Sequence, residues 1–206
     1  INCQISQVKE TISKEISCLK TKYHNPYFIP GGGHDIYGTS ALVDLMFKIV
    51  DWEKTNNIFF DDIYFASGTG STQAGLLIGD MIMHKIINLK HNINGISIAR
   101  NKIKGEAAIQ EAIDEFYNSY SLNLDKPNIK FNTSYVDKGY GYISKEAEKL
   151  MSDMLLRYQL PLDPTYTGKA FFGMWNELKK QKNNNILFIH TGGTPLFYDY
   201  LALGNK

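Results

Sequence analysis

The chain has 206 residues, 43% of them hydrophobic, enough to bury a substantial core in one large domain or a domain and a half. Lys and Arg number 22 against 21 Asp and Glu, a net charge of +1, so no global field argues for a nucleic-acid or acidic-membrane partner, and a small polar ligand suits the balance better. No run reaches the length of a transmembrane helix, and the opening INCQISQVKE has neither an initiator Met nor the basic-then-apolar order of a signal peptide, which suggests processing or an incomplete chain.

From Ile5, the apolar residues Ile5, Val8, Ile12, Ile16 and Leu19 recur at three and four, predicting a helix with one buried stripe that ends near Tyr23. Cys3 and Cys18 lie in this segment and are too few for a disulfide framework or a thiolate metal site, so a reducing compartment, the cytoplasm, is expected. Tyr27 to Pro30 reads as a short strand, and Gly31 to Gly38 as a glycine-rich loop leading into a helix over Ser40 to Glu53. Asp61 and Asp62 then precede a strand, Ile63 to Ala66.

The sequence FASGTGSTQAGLLIG runs from that strand through a small-residue turn into a helix that continues to Leu89. Gly75 and Gly79, four apart, are expected to let this helix approach the sheet closely. A strand at Gly95 to Ala99 and a helix from about Gly105 to Tyr120 follow, then a polar stretch, Leu122 to Tyr142, without a regular period. Ser144 is placed to cap a helix whose buried face is Ala147, Leu150, Met151, Met154 and Leu155. After the loop YQLPLDPTYTGKA come a helix to Lys180, an asparagine-rich surface turn at Asn183 to Asn185, and a strand at Ile186 to His190 followed by TGGTP. Repeated strand-to-helix units with glycine turns at strand ends predict a three-layer αβα fold with a mostly parallel sheet, whose ligands collect where strands end and helices begin.

The turn Ser67, Gly68, Thr69, Gly70, Ser71 and Thr72 is the strongest local signal. Glycines let backbone N–H groups turn inward, hydroxyls add donors, and the helix N-terminus favours an anion, so phosphate is the expected guest; a tight turn that merely caps a helix is the alternative. The Lys of the nucleoside-triphosphate loop is missing, and Gln73 stands where a dinucleotide fingerprint requires its third glycine. Tyr166, Thr167 and Lys169 precede a helix, where a tyrosine and a threonine can touch a ring or simply start the helix. His190, Thr191 and Gly192 end a strand and can close another wall, and Tyr140 lies between Gly139 and Gly141 as an exposed aromatic or as packing. No H-E-x-x-H spacing predicts a metal site and no G-x-S-x-G element predicts a serine hydrolase.

Taken together, GTGSTQAG, VDKGYGYISKEA, PLDPTYTGKA and LFIHTGGTPLFYDY, with the looser FIPGGGHDIYG, resemble the C-terminal portion of the D-cysteine desulfhydrases and 1-aminocyclopropane-1-carboxylate deaminases, pyridoxal-phosphate enzymes of the tryptophan-synthase-β fold. The resemblance implies that residues 1–25 are the last helix of a smaller domain and 26–206 the later part of a larger, cofactor-binding one. It implies pyridoxal 5'-phosphate held at its phosphate by Ser67 to Thr72, with Tyr140 and Tyr166 beside cofactor and substrate, Thr167 at the pyridine nitrogen, and Thr191 and Gly192 lining the same cleft.

The deaminases carry a glutamate at the position of Thr167, and a neutral hydroxyl there tilts the expected substrate toward D-cysteine, cleaved to pyruvate, ammonia and hydrogen sulfide. In this family the lysine that carries the cofactor lies upstream of these motifs and has no counterpart in the chain; neither Lys138 nor Lys169 matches it. A fragment of a longer homodimeric enzyme, a subunit completed by a separate N-terminal chain, and a non-catalytic relative are the three readings this allows. GGGHD, where the family shows GGSN, replaces a hydroxyl by Gly33 and an amide by His34.

Overall fold

The computed structural model describes residues 7–23, 25–179 and 185–204. The chain divides into two compact units, residues 1–31 and 32–206.

In the first unit, α1 (Val8–Lys22) carries the predicted period, with Ile5 and Cys3 outside the described residues and Cys18 a free, exposed thiol. The expected burial does not follow: no residue of α1 is buried, and Val8, Ile12, Ile16 and Leu19 line an open apolar groove with Pro26, Tyr27 and Phe28. Tyr27 to Pro30 forms no strand: among the described residues no strand pairs with it, and Pro30 has no N–H to donate.

The second unit starts with α2 (Ile36–Asn56), four residues earlier than the apolar pattern suggests, because the Asp35 carboxylate accepts from Gly38 N at 2.7 Å and caps the first turn. Then follow β1 (Asp62–Ser67), α3 (Ser71–Ile87), β2 (Asn92–Ser97), α4 (Lys102–Ser119), β3 (Lys130–Asn132), α5 (Lys145–Tyr158), α6 (Thr167–Leu178), β4 (Ile186–Phe188) and α7 (Thr194–Gly204). Lys180, Asn183 and Asn184 of the predicted helix end and turn lie outside the described residues.

Among the described residues, four strands run parallel in the order β3-β2-β1-β4. Alternation along β1 sets the layers. Ile63 and Phe65 pack with Ile93 and Phe131 against α2, α3 and α4. Tyr64 and Ala66 pack with Ile96 against Met151 and Met154 of α5 and Ala170, Phe171 and Met174 of α6. The chain therefore has the predicted three-layer αβα arrangement around a parallel sheet.

Several boundaries differ from the sequence pattern for identifiable reasons. β2 begins at Asn92 rather than Gly95, since its register with β1 pairs Asn92 with Asp62 and Gly95 with Phe65. α4 starts at Lys102 because Asn101 accepts from Lys104 N at 2.9 Å. β3, inside the stretch without a period, is three residues long and buries only Phe131, too little for alternation to register. Gly75 and Gly79 face α2 rather than the sheet: a Cβ on Gly75 would lie 2.4 Å from Leu42 Cβ, and one on Gly79 2.6 Å from Met46 Cβ.

Candidate active site

Parallel strands end together, so the loops after β1, β2 and β4 lie along one edge of the sheet. α3 leaves that edge over one face and α6 begins at it over the other. The Lys169 ammonium, in the first turn of α6, donates to Ile98 O just beyond β2 at 3.0 Å. The turn Ser67 to Thr72 and the segment Tyr166 to Lys169 thus occupy the same edge.

Within the turn, Gly70 has φ 110° and would bring a Cβ to 3.2 Å from the Ala108 carbonyl carbon of α4, so both its conformation and its contact require glycine. The N–H groups at the start of α3 have no acceptor within the helix, and no acidic side chain opposes an anion in its first turn. Ser67 has a different role from its neighbours. It is 1% exposed, and its hydroxyl donates to Gln73 Oε1 at 2.9 Å, while Gln73 Nε2 donates to Lys130 O of β3 at 2.7 Å. Gln73 reaches β3 across Gly95, where a Cβ would lie 2.0 Å from its amide oxygen. The residue in place of a third fingerprint glycine therefore ties β1, α3 and β3 together.

The other hydroxyls stay at the edge. Ser71 Oγ lies 2.8 Å from His34 Nδ1, and the Thr69 side chain packs on Gly32, whose Cβ would approach it to 2.7 Å.

Asp163 organises the entry to α6. Its carboxylate is 1% exposed and accepts from Thr165 N at 2.9 Å, Tyr166 N at 2.8 Å, Thr167 N at 2.8 Å and the Thr167 hydroxyl at 2.7 Å. Thr167 Oγ also accepts from Asp163 N at 2.9 Å. The hydroxyl expected at a ring nitrogen is therefore fully buried with its proton committed to Asp163, leaving one oxygen lone pair. Gly193 closes over the same carboxylate, with room for no Cβ: one would lie 2.2 Å from Asp163 Oδ1.

Tyr140 and Tyr166 meet through their hydroxyls at 2.5 Å, with rings edge to face at 81°. Tyr140 is 63% exposed on its glycine-flanked loop. The hydrogen bond to Tyr140, with burial adding to it, pushes the Tyr166 phenol up to about 12.

Lys169 holds the loop that carries Tyr140. Besides Ile98 O, its ammonium donates to Val136 O at 3.1 Å and Gly139 O at 2.8 Å, and the residue is 2% exposed. With all three donors committed to carbonyls it anchors backbone rather than cofactor, and burial pulls its pKa below the usual lysine value. Lys138 sits over the Tyr142 ring at 4.7 Å. His190 Nε2 lies 2.8 Å from the Pro161 carbonyl and Nδ1 accepts from Gly192 N, so the ring ties the Thr191–Gly192 loop to the chain before Asp163.

Sequence reasoning marked most of this edge but did not single out Asp163, whose signal is an aspartate two to four residues before three N–H groups at a helix entry. Among the described residues no cluster of three or more His, Cys, Asp or Glu side chains is placed to hold a metal, and no helix is long and apolar enough to cross a membrane.

No family model matches the chain. It is 31% identical over 200 residues to a protein of Pyrococcus abyssi provisionally named as a 1-aminocyclopropane-1-carboxylate deaminase, covering 96% of this chain and 58% of the relative. It is 26% identical over 185 residues to the D-cysteine desulfhydrase of Serratia proteamaculans, covering 88% and 54%. A solved structure described as an ACC deaminase homologue superimposes on the whole chain with a TM-score of 0.79 at 28% identity, over 62% of that structure's length. Over nearly its whole length the chain is similar to proteins of the D-cysteine desulfhydrase and 1-aminocyclopropane-1-carboxylate deaminase family. That family is pyridoxal-phosphate-dependent. The chain spans little more than half the length of these curated relatives.

Proposed function

We propose that this chain forms the phosphate-binding and substrate-facing part of a pyridoxal-phosphate-dependent lyase that acts on a small amino acid, with D-cysteine as the preferred substrate. The turn Gly68 to Thr72 carries this reading: it combines a left-handed glycine, the half-buried hydroxyls of Thr69 and Thr72 beside buried Ser71, and a helix N-terminus free of acidic side chains at the edge where the Tyr166 segment also lies. These residues fit a phosphoryl group. Pyridoxal phosphate, when bound, supplies the electron sink for carbanion chemistry beside an amino group.

The backbone N–H groups and the Thr69, Ser71 and Thr72 hydroxyls would hold the phosphoryl end, and Ser67 would support the turn from behind through Gln73. Toward a ring nitrogen, Thr167 has a lone pair to offer, backed by the buried Asp163 carboxylate. That contact carries less charge than the glutamate the resemblance assigns to the deaminases, which favours expulsion of a thiolate from an activated carbon over opening of a cyclopropane. Tyr166, kept protonated by its bond to Tyr140, would present a phenolic proton to a substrate or leaving group. Thr191 and Gly192, held by His190, would limit the cleft on the β4 side.

The cofactor-carrying lysine would come from outside this chain's motifs, since Lys169 is committed to three carbonyls. A complementary segment has a place to bind: among the described residues β4 pairs only with β1, and beside it Leu187, Ile49 and the stacked Trp52 and Phe60 rings line an apolar groove. We take the complete assembly to be a homodimer. Co-expression with a lysine-bearing segment spanning the rest of the family's length is expected to give cofactor absorbance and sulfide release from D-cysteine. Absorbance with turnover of 1-aminocyclopropane-1-carboxylate instead would favour the deaminase reading, and neither property would leave a non-catalytic relative.

A further inference from the structure

Tyr140 and Tyr166 carry two phenolic protons, and only one of them can lie in the 2.5 Å gap between the two oxygens. Whichever hydroxyl donates, the pair keeps one proton for an outside acceptor. That proton has a fixed place only while Tyr140 stays on Tyr166. Tyr166 is held at the entry to α6 by its backbone N–H on buried Asp163, but Tyr140 stands 63% exposed between Gly139 and Gly141. Those glycines have φ 122° and 74°, and beyond the adjacent residues no atom lies within 4 Å of where a Cβ on either would stand. The backbone bonds from Gly139 N to Val136 O at 3.1 Å and from Tyr142 N to Gly139 O at 3.3 Å close within the loop itself.

Lys169 reaches this loop from the first turn of α6. Its ammonium takes Val136 O and Gly139 O, the second of them one residue before Tyr140. The third N–H goes to Ile98 O, and Ile98 packs on the phosphoryl turn, where a Cβ on Gly68 would lie 3.1 Å from Ile98 Cδ1. Lysine is costly at this position. It is 2% exposed, its charge lies in the first turn of a helix, where the dipole disfavours a cation, and all three donors go to carbonyls rather than to a carboxylate. A charge kept against both burial and the dipole, and tied to a loop with open space around it, points to a geometric task. Tyr166 and Lys169, three residues apart at one helix end, thus hold Tyr140 at its hydroxyl and at its backbone.

We propose that Lys169 is a positioning residue for the tyrosine pair: by pinning the Gly139 carbonyl it keeps the Tyr140 hydroxyl on Tyr166 and fixes where the pair's outward proton meets a substrate. The inference rests on the proposed reading of this edge as a cofactor and substrate site and adds the residue that orders its proton donor.

A double-mutant cycle on this chain tests it, read by ring-to-ring magnetic resonance cross-peaks between Tyr140 and Tyr166 and by the Tyr166 Cζ shift followed with pH. Lys169→Met is expected to lose the cross-peaks and to bring the Tyr166 phenol down from about 12 toward the ordinary tyrosine value. In the Tyr140→Phe background the same change is expected to leave Tyr166 where Tyr140→Phe alone puts it, because the link runs through the Tyr140 hydroxyl. Lys169→Gln keeps two N–H donors without the charge, repeats the comparison with a milder perturbation of the fold, and is expected to shift Tyr166 less. Cross-peaks and titration unchanged in both Lys169 variants overturn the proposal. So does an equal fall of Tyr166 with and without the Tyr140 hydroxyl, which would place the effect of Lys169 in the burial of the α6 entry. The phosphoryl site is read separately: pyridoxal phosphate should shift the Thr69–Thr72 amides in Lys169→Met as it does in the unsubstituted chain. Amides unmoved in both proteins would remove that site, and with it the substrate that the pair's proton would serve, even if the tyrosines respond as expected.

Discussion

His91 Nδ1 lies 2.7 Å from Asp80 Oδ1, just before β2 and at the end of the sheet opposite the candidate site. The other ring nitrogen lies 3.1 Å from both Glu53 oxygens, and the His91 and Glu53 side chains are wholly buried. An imidazolium donates from both ring nitrogens to carboxylates that only accept, and in this arrangement His91 joins α2, α3 and β2.

Burial alone pulls the His91 pKa down, but the Asp80 hydrogen bond and the Glu53 and Asp80 charges outweigh it, and the net direction is up. A value raised in the folded state gives stability that is complete below the unfolded value of about 6.5 and is lost as pH rises through the folded value. Urea unfolding is therefore expected to show falling stability on the alkaline side of that range. His91→Leu should remove this slope and destabilise by about 3 kcal/mol at neutral pH, because it leaves two buried carboxylates without their cation.

Lys169→Met is expected to free the loop that carries Tyr140. Three carbonyls lose an ammonium donor, a loss of about 2 kcal/mol by chemical denaturation, accompanied by faster amide exchange across residues 136–142. A loop still protected in the variant would show that other contacts position Tyr140.

Thr167 is a poor site for a simple charge swap. Thr167→Val should destabilise by about 1–2 kcal/mol, since Asp163 N loses its acceptor inside the fold. Thr167→Glu would set a second carboxylate against buried Asp163 and is expected to be less stable than Thr167→Val; equal melting temperatures would show that the α6 entry opens more easily than its hydrogen bonds suggest.

The Tyr140–Tyr166 bond has a spectroscopic consequence. The Tyr166 phenol should ionise near 12, and Tyr140→Phe should bring it down toward the ordinary tyrosine value, because that hydrogen bond is the largest cause of the shift. Ultraviolet difference titration of the two proteins reads the change directly.

The sheet and its helices were legible wherever burial is continuous, as in β1, or periodic, as in the stripe of α5. Elements fixed by partners left little sequence signal. Lys130–Asn132 is a strand because β2 pairs with it, and Tyr27–Pro30 is not one despite its apolar residues. At the site, the glycines and hydroxyls of the turn stood out because local geometry demands them. The inward turn of Ser67, the burial of Thr167 and the His34–Ser71 contact depend on residues brought together by the fold, and no spacing rule encodes them.

The most direct measurement is an amide-resolved magnetic resonance titration of the chain with pyridoxal phosphate. Binding is expected to shift the N–H groups of Thr69, Gly70, Ser71 and Thr72 first, with smaller changes at Gly192, and inorganic phosphate should reproduce the Thr69–Thr72 shifts. Shifts confined to other regions, or a turn unmoved at saturating cofactor, would contradict the account.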